Sequence, residues 1–233
     1  MSADFIFAPP PSPSVAVAQD VRRFPVRRIF CIALNYAAHA REMGKEPAKG
    51  GEPPVFFAKP ADAVVESGAT IPYPSLTSDL HHEIELVAAL SRGGADIPAE
   101  QALDCVFGYA AGIDLTRRDL QAAARSAGRP WDMSKGFDHS APIGAIRPVA
   151  KIGHPTRGRI ALSVNDVLRQ QGDLGDLIWS VADIIAALSR NVTLAAGDLI
   201  FTGTPSGVGP LLAGDRAEGE VEHVGSVAVS IGK

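Results

Sequence analysis

Cysteine is nearly missing: Cys31 and Cys105 are the only two in 233 residues, and both sit in apolar segments, IFCIAL and LDCVFGY. That excludes a disulfide framework and leads us to expect buried free thiols in a reducing compartment. No apolar run approaches the roughly 18 residues of a membrane helix. There is no block of Lys or Arg, and the formal net charge is −4, so nucleic acid is not the expected partner. The opening MSADFIFAPPPSPSVAVAQD lacks a basic stretch and is broken by Pro9, Pro10, Pro11 and Pro13, unlike a secretory signal. Common catalytic signatures are absent as well. The chain has no P-loop, no GxGxxG between strand and helix, and no GxSxG elbow, and HHEIE is not HExxH. What it does have is a 46% share of hydrophobic residues against 21% charged, enough to bury a core. The expectation is a soluble cytoplasmic globular enzyme.

The spacing of apolar residues gives the organisation. A Pro-rich arm over 1–26, loosely packed or forming an edge strand, precedes a single domain over 27–233. RRIFCIAL, PVFFAKP, HHEIELVAAL and VFGYAAGIDL read as strands by their short apolar runs. Asn35 is placed to cap a helix over YAAHAREM that ends at Gly44, and KEPAKGGEPP (45–54) reads as a mobile loop. DIPAEQALDCV holds a short helix with Pro98 in its first turn. TRRDLQAAARSAG reads as a helix closed by Gly128. RIALSVNDVLRQQG suggests a hairpin turning at Asn165-Asp166. SVADIIAALSRN is an amphipathic helix in which Ser180 and Asp183 are spaced as a capping box. Strands outnumber helices and do not alternate with them. That argues an α+β, β-rich fold with a mixed or antiparallel sheet.

Three groups of residues could carry chemistry. Glu83 and Glu85 lie two apart on an expected strand and so share a face, while Asp114 ends a second apolar strand. Buried together, three carboxylates repel, and a divalent cation relieves that repulsion. With no cysteine and no clear histidine ligand, a hard ion such as Mg²⁺, Mn²⁺ or Ca²⁺ is favoured. Spacing alone favours a solvated strand edge for the glutamates and a helix N-cap for Asp114, since x-E-x-E-x is a common pattern. His39 and Glu42, three apart on one helix face, suit a general base oriented by a carboxylate, or an ordinary surface pair. Lys59, Arg118, Gln121, Lys135, Thr202 and Thr204 could hold an anionic, oxygen-rich substrate, with the amides of the Gly-rich TGTPSGVGP converging on an anion.

Read in order, NYAAHAREMG, FFAKPADAV, HHEIELVAAL, GYAAGIDLTRRDLQ, GRPWDMSKGFDHSAPIG and FTGTPSGVGP resemble the fumarylacetoacetate hydrolase family from about Arg28 to near the C-terminus. The resemblance implies that family's β-rich fold, a homodimer, and one Mg²⁺ or Mn²⁺ per subunit on Glu83, Glu85 and Asp114. It implies a His39–Glu42 dyad, an active-site Lys135, and substrate contacts at Arg118, Gln121 and Thr204. The implied reaction is hydrolysis of the C–C bond of a 3-acylpyruvate, foremost fumarylpyruvate to fumarate and pyruvate. Lys135 with Gln121 would face the oxyanion, and Arg118 or Lys59 would pair the remote carboxylate. Rival readings are oxaloacetate decarboxylation, keto-acid isomerisation or dehydration, and a non-catalytic keto-acid-binding member. The chain departs from the Gly-Arg-Asn-Tyr of many relatives at Ala33-Leu34, and family members with other reactions also carry Leu there.

Overall fold

The computed structural model describes residues 5–47 and 52–233. The Gly-Gly of the expected 45–54 loop and the first four residues of the arm lie outside them. Two sheets carry the fold. The larger runs in the order Val55–Lys59, Arg28–Ala33, Asp198–Phe201, Ile84–Leu90, Val106–Ile113, Ala141–Ile143, Val64–Glu66, with Arg147–Pro148 also on Val106–Ile113. It is mixed: Asp198–Phe201 is parallel to Arg28–Ala33 and antiparallel to Ile84–Leu90. The second is five-stranded, in the order Val167–Asp173, Arg159–Val164, Arg216–Val221, Gly225–Ile231, Ala69–Ile71.

The strand Ile84–Leu90 shows why its sequence reads as an unbroken apolar run. Ile84, Leu86, Ala88 and Leu90 face one core, shared with Ile160, Leu162 and Val227 of the five-stranded sheet. Val87 and Ala89 face a second core with Ile29, Cys31, Leu199 and Phe201. A strand covered on both faces loses the polar alternation of a half-exposed one. The second core is closed partly by the arm, which is not loose beyond Ser14. Ser14–Ala16 and Arg23–Pro25 pair antiparallel, and Val15, Val17, Phe24 and Val26 are buried. Both cysteines are free and buried.

Local turn chemistry follows the sequence closely. Asn165 and Asp166 both take positive φ, 50° and 63°, the conformation that a two-residue hairpin needs. The helix Val181–Ser189 begins in a complete capping box of Ser180 and Asp183. Its Val181, Ile184, Ile185 and Leu188 enter the first core.

Three expectations fail for tertiary reasons. HHEIELVAAL is two strands, because Leu80–His82 joins a small sheet with Thr116–Arg117 and Gly209–Leu211 while Ile84–Leu90 joins the large one. Glu83 is the joint between them. Asn35 caps nothing: the helix Ala37–Glu42 has no side-chain cap. The Asn35 amide instead donates to Trp179 O and Thr202 O and accepts from Trp179 N, pinning three segments together. Pro98 precedes its helix, Ala99–Ala102, rather than lying in it.

One buried ion cluster fixes the large sheet's parallel pair. The fully buried Asp198 carboxylate meets Arg27 at 3.1 Å and Arg28 at 2.8 Å and accepts Ala195 N–H at 2.9 Å. Asp198→Ala strands that amide but leaves both arginines able to reach water, so we expect a loss of about 2–3 kcal/mol. Urea denaturation reads it, and a loss under about 0.5 kcal/mol, as for an ordinary surface change, would show the cluster to be energetically idle.

Candidate active site

The joint at Glu83 and the end of Val106–Ile113 bring the acidic residues together. Asp114 N–H donates to Glu83 O at 2.8 Å, which sets the two chain ends side by side. Ligand oxygens of Glu83, Glu85 and Asp114 all lie within 4.8 Å of one another, and all three residues are buried. Glu85 Oε2 accepts Gly203 N–H at 2.6 Å. Only glycine serves at 203, where φ is +98° and a Cβ would come within 2.6 Å of Asn35 Cβ. The solvated-edge reading of the glutamates is thereby excluded.

Three cations face these three carboxylates. Lys135 Nζ donates to Glu83 Oε2 at 2.8 Å, Asp114 Oδ2 at 2.7 Å and Thr116 Oγ1 at 2.6 Å. Arg118 binds Glu83 Oε1 and donates to Gln121 Oε1, the latter at 2.6 Å. Lys59 Nζ lies 2.8 Å from Asp114 Oδ1 but spends its hydrogen bonds on the carbonyls of Leu115 and Lys135. Asp114 Oδ1 is left without a hydrogen bond of good geometry.

The electrostatics follow from this layout. Burial would push Glu83 up, but Lys135 and Arg118 outweigh it and hold the carboxyl well below its ordinary range. Burial, then the neighbouring Asp114 and Glu83 charges, push Glu85 well above its own. Burial would weaken the Lys135 ammonium, yet Asp114 and Glu83 more than offset it and raise its pKa. The donor set fits a divalent cation. It is all carboxylate oxygen, the hard-ion pattern, with an oxygen of Asp114 unbonded and Glu85 destabilised as an anion. Three acids against three bases sum to zero, so such an ion would leave the floor positive and receptive to an anionic ligand.

His39 sits over this floor. Its Nδ1 lies 3.0 Å from Glu42 Oε2, which assigns the proton to Nδ1 and leaves the Nε2 lone pair free. Glu42 Oε1 accepts Gly207 N–H at 2.9 Å, so the dyad is braced against the Gly-rich turn. This corrects the expectation for that turn. Its amides at Gly203 and Gly207 are taken by Glu85 and Glu42, and the Thr202 hydroxyl by Leu86 O, so these three groups are not available to an anion.

A cavity of about 260 Å³ joins these groups, with His39, Glu83, Glu85, Gln121, Lys135 and Thr204 on its wall. Lys59 does not line it: its ammonium lies behind Asp114, on the carbonyls of Leu115 and Lys135. Arg118 lines it at the floor, turned onto Glu83 and Gln121 rather than towards the mouth. Because Gln121 Oε1 is taken by Arg118, its Nε2 is the end left to donate. Sequence reasoning passed over Gln170, a fully buried amide that accepts from Ile84 N, bonds His82, and donates to Thr204 Oγ1 at 2.8 Å. It also passed over Arg125, whose signal was legible: it follows Arg118 by seven on one helix, hence on the same face.

Residues 28–231 match the family described as Fumarylacetoacetate (FAA) hydrolase C-terminal. The crystal structure of fumarylpyruvate hydrolase from Pseudomonas aeruginosa in complex with Mn²⁺ and pyruvate superimposes with a TM-score of 0.95 at 49% identity, covering 98% of this chain and 99% of that one. A Ralstonia protein named fumarylpyruvate hydrolase is 43% identical over 190 residues, 82% of this chain and 98% of its own. A mitochondrial oxaloacetate tautomerase of Mus musculus is 39% identical over 205 residues, 88% of this chain and 91% of its own.

Proposed function

The chain belongs to the fumarylacetoacetate hydrolase family, and from that premise we propose that it hydrolyses the C–C bond of a 3-acylpyruvate, fumarylpyruvate in particular, with Mg²⁺ or Mn²⁺ on Glu83, Glu85 and Asp114. The observation that carries this reading is that His39, paired with Glu42, lines the same cavity as Glu83 and Glu85 of the acidic triad. A bound divalent ion supplies Lewis acidity towards the keto-acid oxygens. The protein's own groups do the rest. His39 Nε2 takes a proton from water, while Glu42 holds the imidazole at Nδ1. The hydroxide adds to the carbonyl carbon distal to the pyruvyl group. Gln121 Nε2 donates to the oxygen on which charge develops, and the Lys135 ammonium, whose three N–H bonds are held by Glu83, Asp114 and Thr116, acts on it by charge alone. As that carbonyl re-forms, the bond to the pyruvyl methylene breaks, and the electron pair leaves with the pyruvyl carbon. The proton held by His39 then quenches it, giving fumarate and pyruvate with atoms balanced. The working unit in this reading is a cytoplasmic homodimer with no nucleic-acid or membrane partner. Among the described residues no helix is long and apolar enough to cross a membrane.

The similarity to proteins named oxaloacetate tautomerase, at 38–39% identity, favours one second reading: enol–keto exchange of oxaloacetate at the same site. The dyad serves either reaction, as a base for water or as a proton carrier between oxygen and carbon, so the choice rests on the assay. The test is an assay of the purified protein on fumarylpyruvate, acetylpyruvate and oxaloacetate, with Mg²⁺ and with chelator. Metal-dependent hydrolysis of the acylpyruvates is expected. Exchange of oxaloacetate without any acylpyruvate cleavage would replace our reading with the second.

A further inference from the structure

The cavity is charged at its floor, apolar along its wall and cationic again at its mouth. Its apolar lining includes Leu34, Val55, Phe57 and Trp131, and the exposure of Lys45 and Arg125, which also line it, puts them at its mouth. Both mouth cations are exposed, and neither side chain has a hydrogen bond or ion pair among the described residues, whereas Arg118 at the floor is bound to Glu83 and Gln121. We propose that Arg125, assisted by Lys45, is the specificity-determining position that binds the far carboxylate of a dicarboxylic acylpyruvate. The inference rests on the acylpyruvate reading and adds which substrates within that class are preferred, and why.

The helix Arg118–Ser126 sets the scale. Arg118, Gln121 and Arg125 stand at i, i+3 and i+7, on one face lining the cavity. Seven residues at about 1.5 Å each separate the two arginines by about 10 Å along the axis. A seven-carbon diacid spans about 7.5 Å between its end carbons, from bonds of about 1.5 Å. Adding one charged hydrogen bond of about 2.8 Å brings the reach to about 10 Å. A ligand whose keto-acid end lies beside Arg118 therefore places its other carboxylate at Arg125, with its uncharged middle against Phe57 and Trp131. A ligand without that second carboxylate never reaches the mouth. The guanidinium suits the task because it can grip a carboxylate through two parallel N–H bonds.

The experiment compares kcat and KM for fumarylpyruvate and acetylpyruvate in the parent, Arg125→Gln, Lys45→Gln and the double variant. Both side chains are exposed, so the fold is expected to persist. We expect kcat/KM on fumarylpyruvate to fall about three- to tenfold per cation removed, expressed in KM, since exposed charged contacts are of that worth. Acetylpyruvate should be unaffected, and Arg125→Lys should restore part of the loss. Raising the salt should narrow the parent's preference for fumarylpyruvate, as screening acts on exposed charges. Equal losses on both substrates, or none on either, would overturn the mouth assignment while leaving acylpyruvate hydrolysis intact. A parent that cleaves acetylpyruvate and not fumarylpyruvate would overturn it too. Inactivity of the parent on both would instead sink the reading of the site itself.

Discussion

His39→Ala is expected to lower kcat for acylpyruvate hydrolysis by about 10²–10⁴-fold, the usual worth of a positioned general base, with Mg²⁺ affinity almost unchanged. The separation of the two effects follows from the layout. His39 touches Glu42 and not the triad, and the oxygens of Glu83, Glu85 and Asp114 are placed by Lys135, Arg118 and Gly203 instead. Glu42→Gln has one acceptor oxygen, so it keeps Gly207 N–H or the imidazole Nδ1–H but not both, and it removes the charge. Because the imidazole remains, its loss should be no larger than that of His39→Ala. Since His39 is buried, thermal melting of each variant alongside kinetics separates lost chemistry from lost fold. A folded His39→Ala enzyme with undiminished hydrolysis would mean that the water is activated at the ion alone. Loss of hydrolysis with retained exchange of oxaloacetate would show the dyad to serve water activation only.

Legibility in the sequence depended on how local the cause was. The Asn165-Asp166 turn and the Ser180 capping box are decided within four residues, and both read correctly. So did the apolar strands Ile84–Leu90 and Val106–Ile113, whose burial on both faces leaves a run of small and branched residues. Asn35 misled because a cap-competent amide looks the same whether it meets its own helix or Trp179 and Thr202, far along the chain. The break at Glu83 was hidden for a like reason: only the pairing partners of Leu80–His82 and Ile84–Leu90 decide it. In the site, the residue types were legible and their assignments less so. Lys59 and Arg118 read as free cations, yet each is drawn onto a buried carboxylate remote in sequence. A lone basic residue carries no mark of whether it will face substrate or neutralise a neighbour.

Glu85→Gln is the sharpest test of the floor, because it should move metal binding and metal-free stability in different directions. The substitution keeps a side-chain oxygen for Gly203 N–H and keeps the volume, so the backbone has no reason to shift. In the parent, Glu85 is held against burial and against the Asp114 and Glu83 charges. Removing its charge relieves that repulsion, and the metal-free variant should melt no lower than the metal-free parent. The parent should gain stability from the ion, about 2.7 kcal/mol at a hundredfold excess over Kd, or about 5–10 °C in a domain of this size. The variant should lose most of that gain, together with activity, since one of its three anionic ligands has become neutral. In the parent, chelation should abolish turnover and Mg²⁺ or Mn²⁺ should restore it. Calorimetry showing that Glu85→Gln binds Mg²⁺ as tightly as the parent would remove Glu85 from the ligand set. A lower melting point without metal would show instead that the carboxylate stabilises the fold through Gly203, and would overturn the relief of repulsion argued here.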